Sequence, residues 1–188
     1  MLYAKPKVPM NVLLHVCCAN CAIYPVKVLR EQNHQVTGFF FNHNIHPYQE
    51  YRRRLETTRD YASRVELPMV FREEYLLEDF LGQVAQAPRT RCDYCYLSRL
   101  EETARTAAEQ NFDAFSTSLL YSRYQQHDLI RRHGEELALR YGISFVYRDF
   151  RAGWREGIET SKAMELYRQQ YCGCIYSEKE RYCPQGRN

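Results

Sequence analysis

Short apolar runs alternate along this chain with segments whose apolar positions recur every three or four residues. Asn11–Val16 (NVLLHV) is branched and almost wholly apolar, and it predicts a buried strand. Beyond a knot of cysteines, Ile23–Arg30 predicts a helix, and Gln35–Asn42 (QVTGFFFN) a second strand. Pro47 then opens a helix at a position where proline costs nothing. Tyr48, Tyr51, Leu55, Thr58, Ala62 and Val65 form one stripe of that helix. Glu50–Arg54 and Arg52–Glu56 are spaced for exposed i, i+4 pairs, so Arg52, Arg53 and Arg54 read as a solvated face rather than an RNA patch.

Pro68–Phe71 predicts a third strand and Tyr75–Gln86 a helix; after the loop Ala87–Arg91, Leu97, Leu100, Ala104 and Ala108 mark another helix. Asp113–Ser118 predicts a fourth strand, residues 124–141 a helix ended by Gly142, Ile143–Tyr147 a fifth strand, and Ser161–Gln170 a closing helix. This alternation predicts an α/β fold: a parallel sheet flanked by helices, in a single domain over residues 1–188. Such sheets bind ligands at the carboxyl ends of their strands, near the reversal in strand order. The first cysteines follow the first strand directly, so thiols stand where many α/β proteins carry a glycine-rich phosphate loop.

With 188 residues, 45% of them hydrophobic and 26% charged, the chain can bury a core without disulfides or metals to hold it, which excludes disorder and coiled coil. Its net charge is +3, no half is strongly basic and there is no polybasic tail, so charge does not by itself announce nucleic acid. The cations are mostly Arg, which suits phosphates and bases, although ordinary helix-face ion pairs account for that as well. The apolar run ending at Cys17 is far shorter than the ~20 residues of a membrane span, and no small-residue cleavage site follows it. The expected location is therefore cytoplasmic, with no membrane partner. In a reducing compartment, eight cysteines argue for metal ligation or redox chemistry.

Seven of the eight lie in three tight groups: Cys17, Cys18 and Cys21; Cys92 and Cys95; Cys172 and Cys174. Cys183 reads as an incidental thiol. Three chemistries compete. Structural zinc takes four ligands, usually from two nearby knuckles, and leaves thiols over. A thioredoxin-like dithiol at Cys18 and Cys21 has the right strand-to-helix setting but uses no other cysteine. An iron–sulfur cluster can draw four thiolates from distant loops, as Cys17-Cys18 with Cys92-x-x-Cys95 would supply. The Cys172-Gly173-Cys174 pair could then act as a dithiol whose small, strained disulfide is easily reduced.

Several ordered motifs resemble one family. They are His15-x-Cys17-Cys18-Ala19, Phe41-Asn42-x-Asn44-Ile45-x-Pro47-x-x-Glu50-Tyr51, Arg91-Cys92-x-x-Cys95-Tyr96-x-x-Arg99-Leu100 and Tyr171-Cys172-Gly173-Cys174-x-Tyr176-Ser177, with Ser116-Thr117-Ser118-Leu119-Leu120 and Asp149-Phe150-Arg151 between them. Together they resemble epoxyqueuosine reductase of the small, cobalamin-independent type. Asn20 and Arg123 stand where that pattern carries proline. The resemblance implies a Rossmann-like, nucleotide-hydrolase-like fold of the HUP group and a 4Fe–4S cluster on Cys17, Cys18, Cys92 and Cys95. It implies reduction of epoxyqueuosine to queuosine at wobble position 34 of tRNAs with GUN anticodons, the final step of queuosine biosynthesis. Cys172 and Cys174, in a C-terminal segment completing the active site, would be a redox-active pair or ligands of an additional iron ion, for which Cys21 is a further candidate ligand.

Removing an epoxide oxygen as water takes two electrons and two protons. A cluster passes electrons singly, so a dithiol or second iron would complete the count, with an unidentified electron donor upstream. Proton donors nearest in sequence are Tyr96, Tyr171 and Asp93. Candidate contacts to the tRNA are Arg91, Tyr96, Arg99, Ser118, Arg123 and Arg151. His15 reads as a satisfied core histidine, and His43 and His46 as loop residues ahead of Pro47.

Overall fold

Five strands carry the apolar runs: β1 (Asn11–His15), β2 (Gln35–Phe40), β3 (Met69–Phe71), β4 (Ala114–Thr117) and β5 (Ser144–Phe145). They form one sheet in the order β3-β2-β1-β4-β5, and every pairing is parallel. The computed structural model describes residues 8–183; Met1–Lys7, the head of the N-terminal segment, lie outside the described residues. β1 is central and covered on both faces, which is why Val12, Leu13 and Leu14 read as an unbroken apolar run.

The helices are α1 (Ala19–Glu31), α2 (Tyr48–Arg64), α3 (Leu77–Val84), α4 (Arg91–Glu109), α5 (His127–Tyr141), α6 (Trp154–Ala163) and α7 (Ile175–Tyr182). Ala104 and Ala107 of α4 and Ala22, Val26 and Leu29 of α1 are buried with Leu13, Phe39 and Phe115 of the sheet in one core. Gly134 is tolerated inside α5 because the Phe145 ring lies where its Cβ would be, 2.2 Å away. Gly142 ends that helix at φ +64. Among the described residues, no helix is long and apolar enough to cross a membrane.

Three expectations need correction. α1 begins four residues earlier than its apolar spacing suggested, with Cys18 in extended conformation at its N-cap, so the cysteine knot belongs to the helix start. The closing helix expected at 161–170 does not form: α6 ends at Ala163, Glu165 adopts φ +54 and turns the chain out of the helix, and an irregular segment leads to the last helix, α7. The Arg52–Glu56 pair is exposed as expected, but Glu50–Arg54 is buried, with Arg54 only 2% exposed. Arg54 sits three residues after Tyr51 and four before Thr58, so it shares their inward stripe.

The strand order reverses between β1 and β4. Cys17 leaves the carboxyl end of β1 and Ser118 that of β4, and the Cys17 N–H donates to Ser118 Oγ at 3.0 Å across the gap. The crevice expected of an open parallel sheet therefore opens on thiols.

Candidate active site

Cys17, Cys18 and Cys21 bring their sulfurs within 4.8 Å of one another, the one such metal-competent group among the described residues. Cys18 caps α1 and Cys21 lies in its first turn, which holds no acidic side chain, so the positive end of the helix faces sulfur alone. Hydrogen bonding from Cys18 and Cys21 draws the Cys17 thiol well below its ordinary pKa, and the same pairing pushes Cys18 and Cys21 up. Ser118 Oγ lies 3.4 Å from Cys17 Sγ, and Gln169 Nε2 donates to Cys18 Sγ at 2.9 Å.

The other two groups are likewise built on helix starts. Cys92 and Cys95 lie in the first turns of α4, and Cys174 is the N-cap of α7. Cys95 and Cys174 are buried together with Phe80 and Val84. Burial pushes the Cys95 thiol up to about 12 and also raises Cys92, and both feel the charges of Cys172 and Cys174. Cys172 is exposed, and Gln125 Nε2 reaches its sulfur at 3.4 Å.

Two buried arginines lie between the groups. Arg99, 1% exposed, donates through Nη2 to Cys95 Sγ at 3.1 Å and through Nε to Cys95 O at 2.9 Å. Burial disfavours its charge, but Cys95, Cys172 and Cys17 outweigh that and raise its pKa. Arg54 is paired with Glu50 at 2.8 Å and donates to Cys172 O at 2.7 Å and Tyr171 O at 3.0 Å, fixing the Cys-Gly-Cys hairpin from behind. Gly173 in that hairpin has φ +153, and a Cβ there would lie 3.0 Å from the Asn44 amide nitrogen and 3.3 Å from Ile45, so the turn requires glycine.

A cavity of about 660 Å³ opens onto the first and third groups, through Cys17, Cys21 and Cys172; Cys92 and Cys95 are not among its lining residues. Buried Cys21, Arg54 and Arg99 line it with half-buried Cys17 and exposed Cys172, and Tyr124, Trp154, Arg168 and Arg181 line it as well. The donor set fits a soft, thiolate-bound metal centre: many sulfurs, fixed N–H and O–H donors to them, buried cations to balance their charge, and one lining carboxylate, Glu180, already tied to Arg91.

Of the residues singled out as RNA contacts, Arg99 lines the cavity, while Ser118 bonds Cys17 and Tyr96 donates to Gln125 at 2.8 Å. Arg91 is bound to Glu180 and the Pro88 carbonyl and lies over Tyr176; Arg151 is bound to Asp149; neither is among the lining residues. Arg123 lies over Trp154, 5.7 Å from its ring centre. Asp93 accepts from His133 at 3.0 Å, outside the cavity lining. Tyr171 lines the cavity and burial pushes its hydroxyl up to about 12, but that hydroxyl donates to the His46 carbonyl. His15 is a core residue between Thr117 Oγ1 (2.9 Å) and the Phe41 carbonyl (3.2 Å), lowered by burial to about 4 and hence neutral. Cys183 is exposed.

Arg54, Gln125, Asn20 and Gln169 are site residues that sequence reasoning missed. The stripe of α2 could have revealed Arg54, whereas the others touch sulfur or its partners through folding alone.

Residues 12–180 match the sequence profile of the family described as epoxyqueuosine reductase QueH. Three curated relatives bear that description. The protein of Dehalococcoides mccartyi is 37% identical over 172 residues, 92% of this chain and 94% of its own. That of Thermotoga maritima is 33% identical, over 91% and 92%, and that of Streptococcus pyogenes 32%, over 95% and 74%.

Proposed function

The chain belongs to the epoxyqueuosine reductase QueH family, an oxidoreductase of queuosine biosynthesis with a cysteine cluster able to bind metal, and we propose that it deoxygenates epoxyqueuosine at wobble position 34 of tRNAs with GUN anticodons. The observation that carries this reading is the convergence of thiols from two distant parts of the chain on one cavity at the sheet's switch point: Cys17 and Cys21 from the start of α1, and exposed Cys172 from the segment before α7.

A 4Fe–4S cluster held by Cys17, Cys18, Cys92 and Cys95 would supply low-potential electrons. Arg99 supports that assignment, since its buried guanidinium donates to Cys95 Sγ and would offset the charge of a thiolate-bound cluster there. The closeness of Cys21 to Cys17 and Cys18 supports its role as a ligand of an additional iron ion. Cys172 and Cys174 are the redox pair or further ligands of that iron. The family's reaction breaks both C–O bonds of an epoxide and releases the oxygen as water, consuming two electrons and two protons.

The protein's own groups set the conditions for that reaction. Arg54 holds the hairpin carbonyls, so the Cys172 sulfur keeps a fixed attitude toward the cavity. Gln125 and Tyr96 form a hydrogen-bonded arm ending on that sulfur. The cavity-lining Tyr121 and Tyr171 hydroxyls, protonated at neutral pH as tyrosines ordinarily are and raised further by burial, donate to the Trp154 and His46 carbonyls and add no negative charge beside the thiols. The electron donor enters from outside this chain.

The test is incubation of anaerobically prepared protein and dithionite with an RNA hairpin carrying epoxyqueuosine in a GUN anticodon, followed by nucleoside mass analysis. Loss of one oxygen from that nucleoside is the expected result, abolished in C17S and C95S. Unchanged epoxyqueuosine with metal-loaded wild-type protein would overturn the assignment.

A further inference from the structure

Among the described residues, few large apolar side chains are exposed, and of these Tyr124 alone lines the cavity above the thiols. It is 83% exposed. Yet it is held: its N–H donates to Ser122 Oγ at 3.2 Å, and its ring meets Trp154 edge-on, centres 5.8 Å apart at 78°. Trp154 is in turn stacked on buried Tyr121 at 5.2 Å. An aromatic ring fixed in place but left in water is a surface prepared for a flat partner. The next residue, Gln125, reaches Cys172 Sγ at 3.4 Å, and Tyr124 and Cys172 line the same cavity.

The charges around it point the same way. Among the described residues, most arginines are paired with an acid, commonly one helical turn away, as in Arg52–Glu56, Arg64–Asp60, Arg131–Glu135 and Arg155–Glu159. Arg168 and Arg181 in the cavity lining, and Arg123 beside Tyr124, have no acidic partner among the described residues. Aromatic faces flanked by uncompensated guanidinium groups match single-stranded RNA, whose bases stack while its phosphates pair with arginine.

We propose that Tyr124 is the stacking platform for a base of the anticodon loop, with Arg123, Arg168 and Arg181 receiving the neighbouring phosphates. This rests on the tRNA reading above and adds the residues that grip the loop while the modified nucleotide enters the cavity. Trp154 braces the platform and Gln125 ties it to the thiol wall.

The test measures binding of an unmodified RNA hairpin with a GUN anticodon loop to the metal-loaded protein by fluorescence anisotropy, alongside turnover on the epoxyqueuosine hairpin. Because Tyr124 is exposed, Tyr124→Ala should fold normally. It should weaken hairpin binding by about ten-fold, raising KM with kcat little changed, while Tyr124→Phe binds as wild type because stacking needs no hydroxyl. Arg168→Ala should lower the slope of log K against log salt by about 1. Wild-type binding and turnover with Tyr124→Ala equal to wild type in both would overturn the platform and leave the enzymatic reading intact. Turnover failing in wild type and every variant, with no hairpin binding, would bring down both.

Discussion

The Asn20 carboxamide donates to the Gln169 side-chain oxygen at 2.8 Å, and Gln169 donates in turn to Cys18 Sγ at 2.9 Å. Asn20 also donates to the Tyr167 carbonyl at 2.8 Å and accepts from Ser161 Oγ at 2.7 Å. One side chain in the first turn of α1 thus ties the irregular segment after α6 to the thiol cluster.

Asn20→Ala removes these bonds and leaves Ser161 without an acceptor, so it should lower stability by about 2 kcal/mol. Asn20→Pro should lose a similar amount without breaking the helix, because a first-turn N–H has no intrahelical acceptor. Urea denaturation reads the loss, and a changed visible spectrum of the metal-loaded variants reads the freed Gln169. Wild-type stability with an unaltered spectrum would mean that Asn20 positions nothing.

Arg99 yields a prediction of opposite sign for the metal-free and metal-loaded states. It is buried, and its side-chain bonds go to the carbonyl and sulfur of Cys95 rather than to a carboxylate. Burial keeps the Cys95 thiol protonated in the metal-free protein, so a buried cation there lacks a balancing charge and should burden that fold, whereas cluster-bound thiolates would favour it. Arg99→Met should therefore stabilise the metal-free protein by about 1–4 kcal/mol and reduce iron retained after reconstitution. Thermal unfolding of metal-free protein and iron per chain check the two halves; full iron retention by the variant would contradict the role.

Histidine burial predicts an acid dependence. Burial holds His15 at about 4 and His43 at about 3, against an ordinary value of 6.5. The unfolded chain binds protons below 6.5 that the folded chain refuses, so this contribution is complete above pH 6.5 and is lost as pH falls toward 4 and 3. In metal-free protein each histidine should remove roughly 1.4 kcal/mol per pH unit across that window. His43→Gln should lessen the slope by one such share in urea titrations between about pH 7 and about pH 5. A slope equal to wild type would show that His43 is not buried neutral.

The sheet was legible because each strand is an apolar run between helical periods, as NVLLHV and QVTGFFFN are, and strand centres survive small errors at their ends. The start of α1 was not: Cys18 and Asn20 interrupt the apolar spacing, and a helix N-terminus offered to sulfur leaves no hydrophobic trace. Residues 161–170 carry helical spacing, yet Glu165 leaves the helix, and Asn20, far away in the chain, holds Tyr167 and Gln169 beyond that point. The thiol groups were legible from spacing and the resemblance. Their partners were not, since Gln169 meets Cys18 and Arg54 meets Cys172 across more than a hundred residues. Arg91 and Arg151 were nominated by position near cysteines and strand ends; their ion pairs, with Glu180 far along the chain and with Asp149 two residues before, were not part of that reading.

The central claim is that these cysteines hold an iron–sulfur centre. It is tested most directly by iron and acid-labile sulfide analysis, with a visible spectrum, on anaerobically purified protein. About four irons and four sulfides per chain, with absorption near 400 nm bleached by dithionite, is the predicted result, and iron in excess of sulfide would mark the additional ion beside Cys21. A colourless protein holding a single zinc, or one that takes up no metal on anaerobic reconstitution, would contradict it.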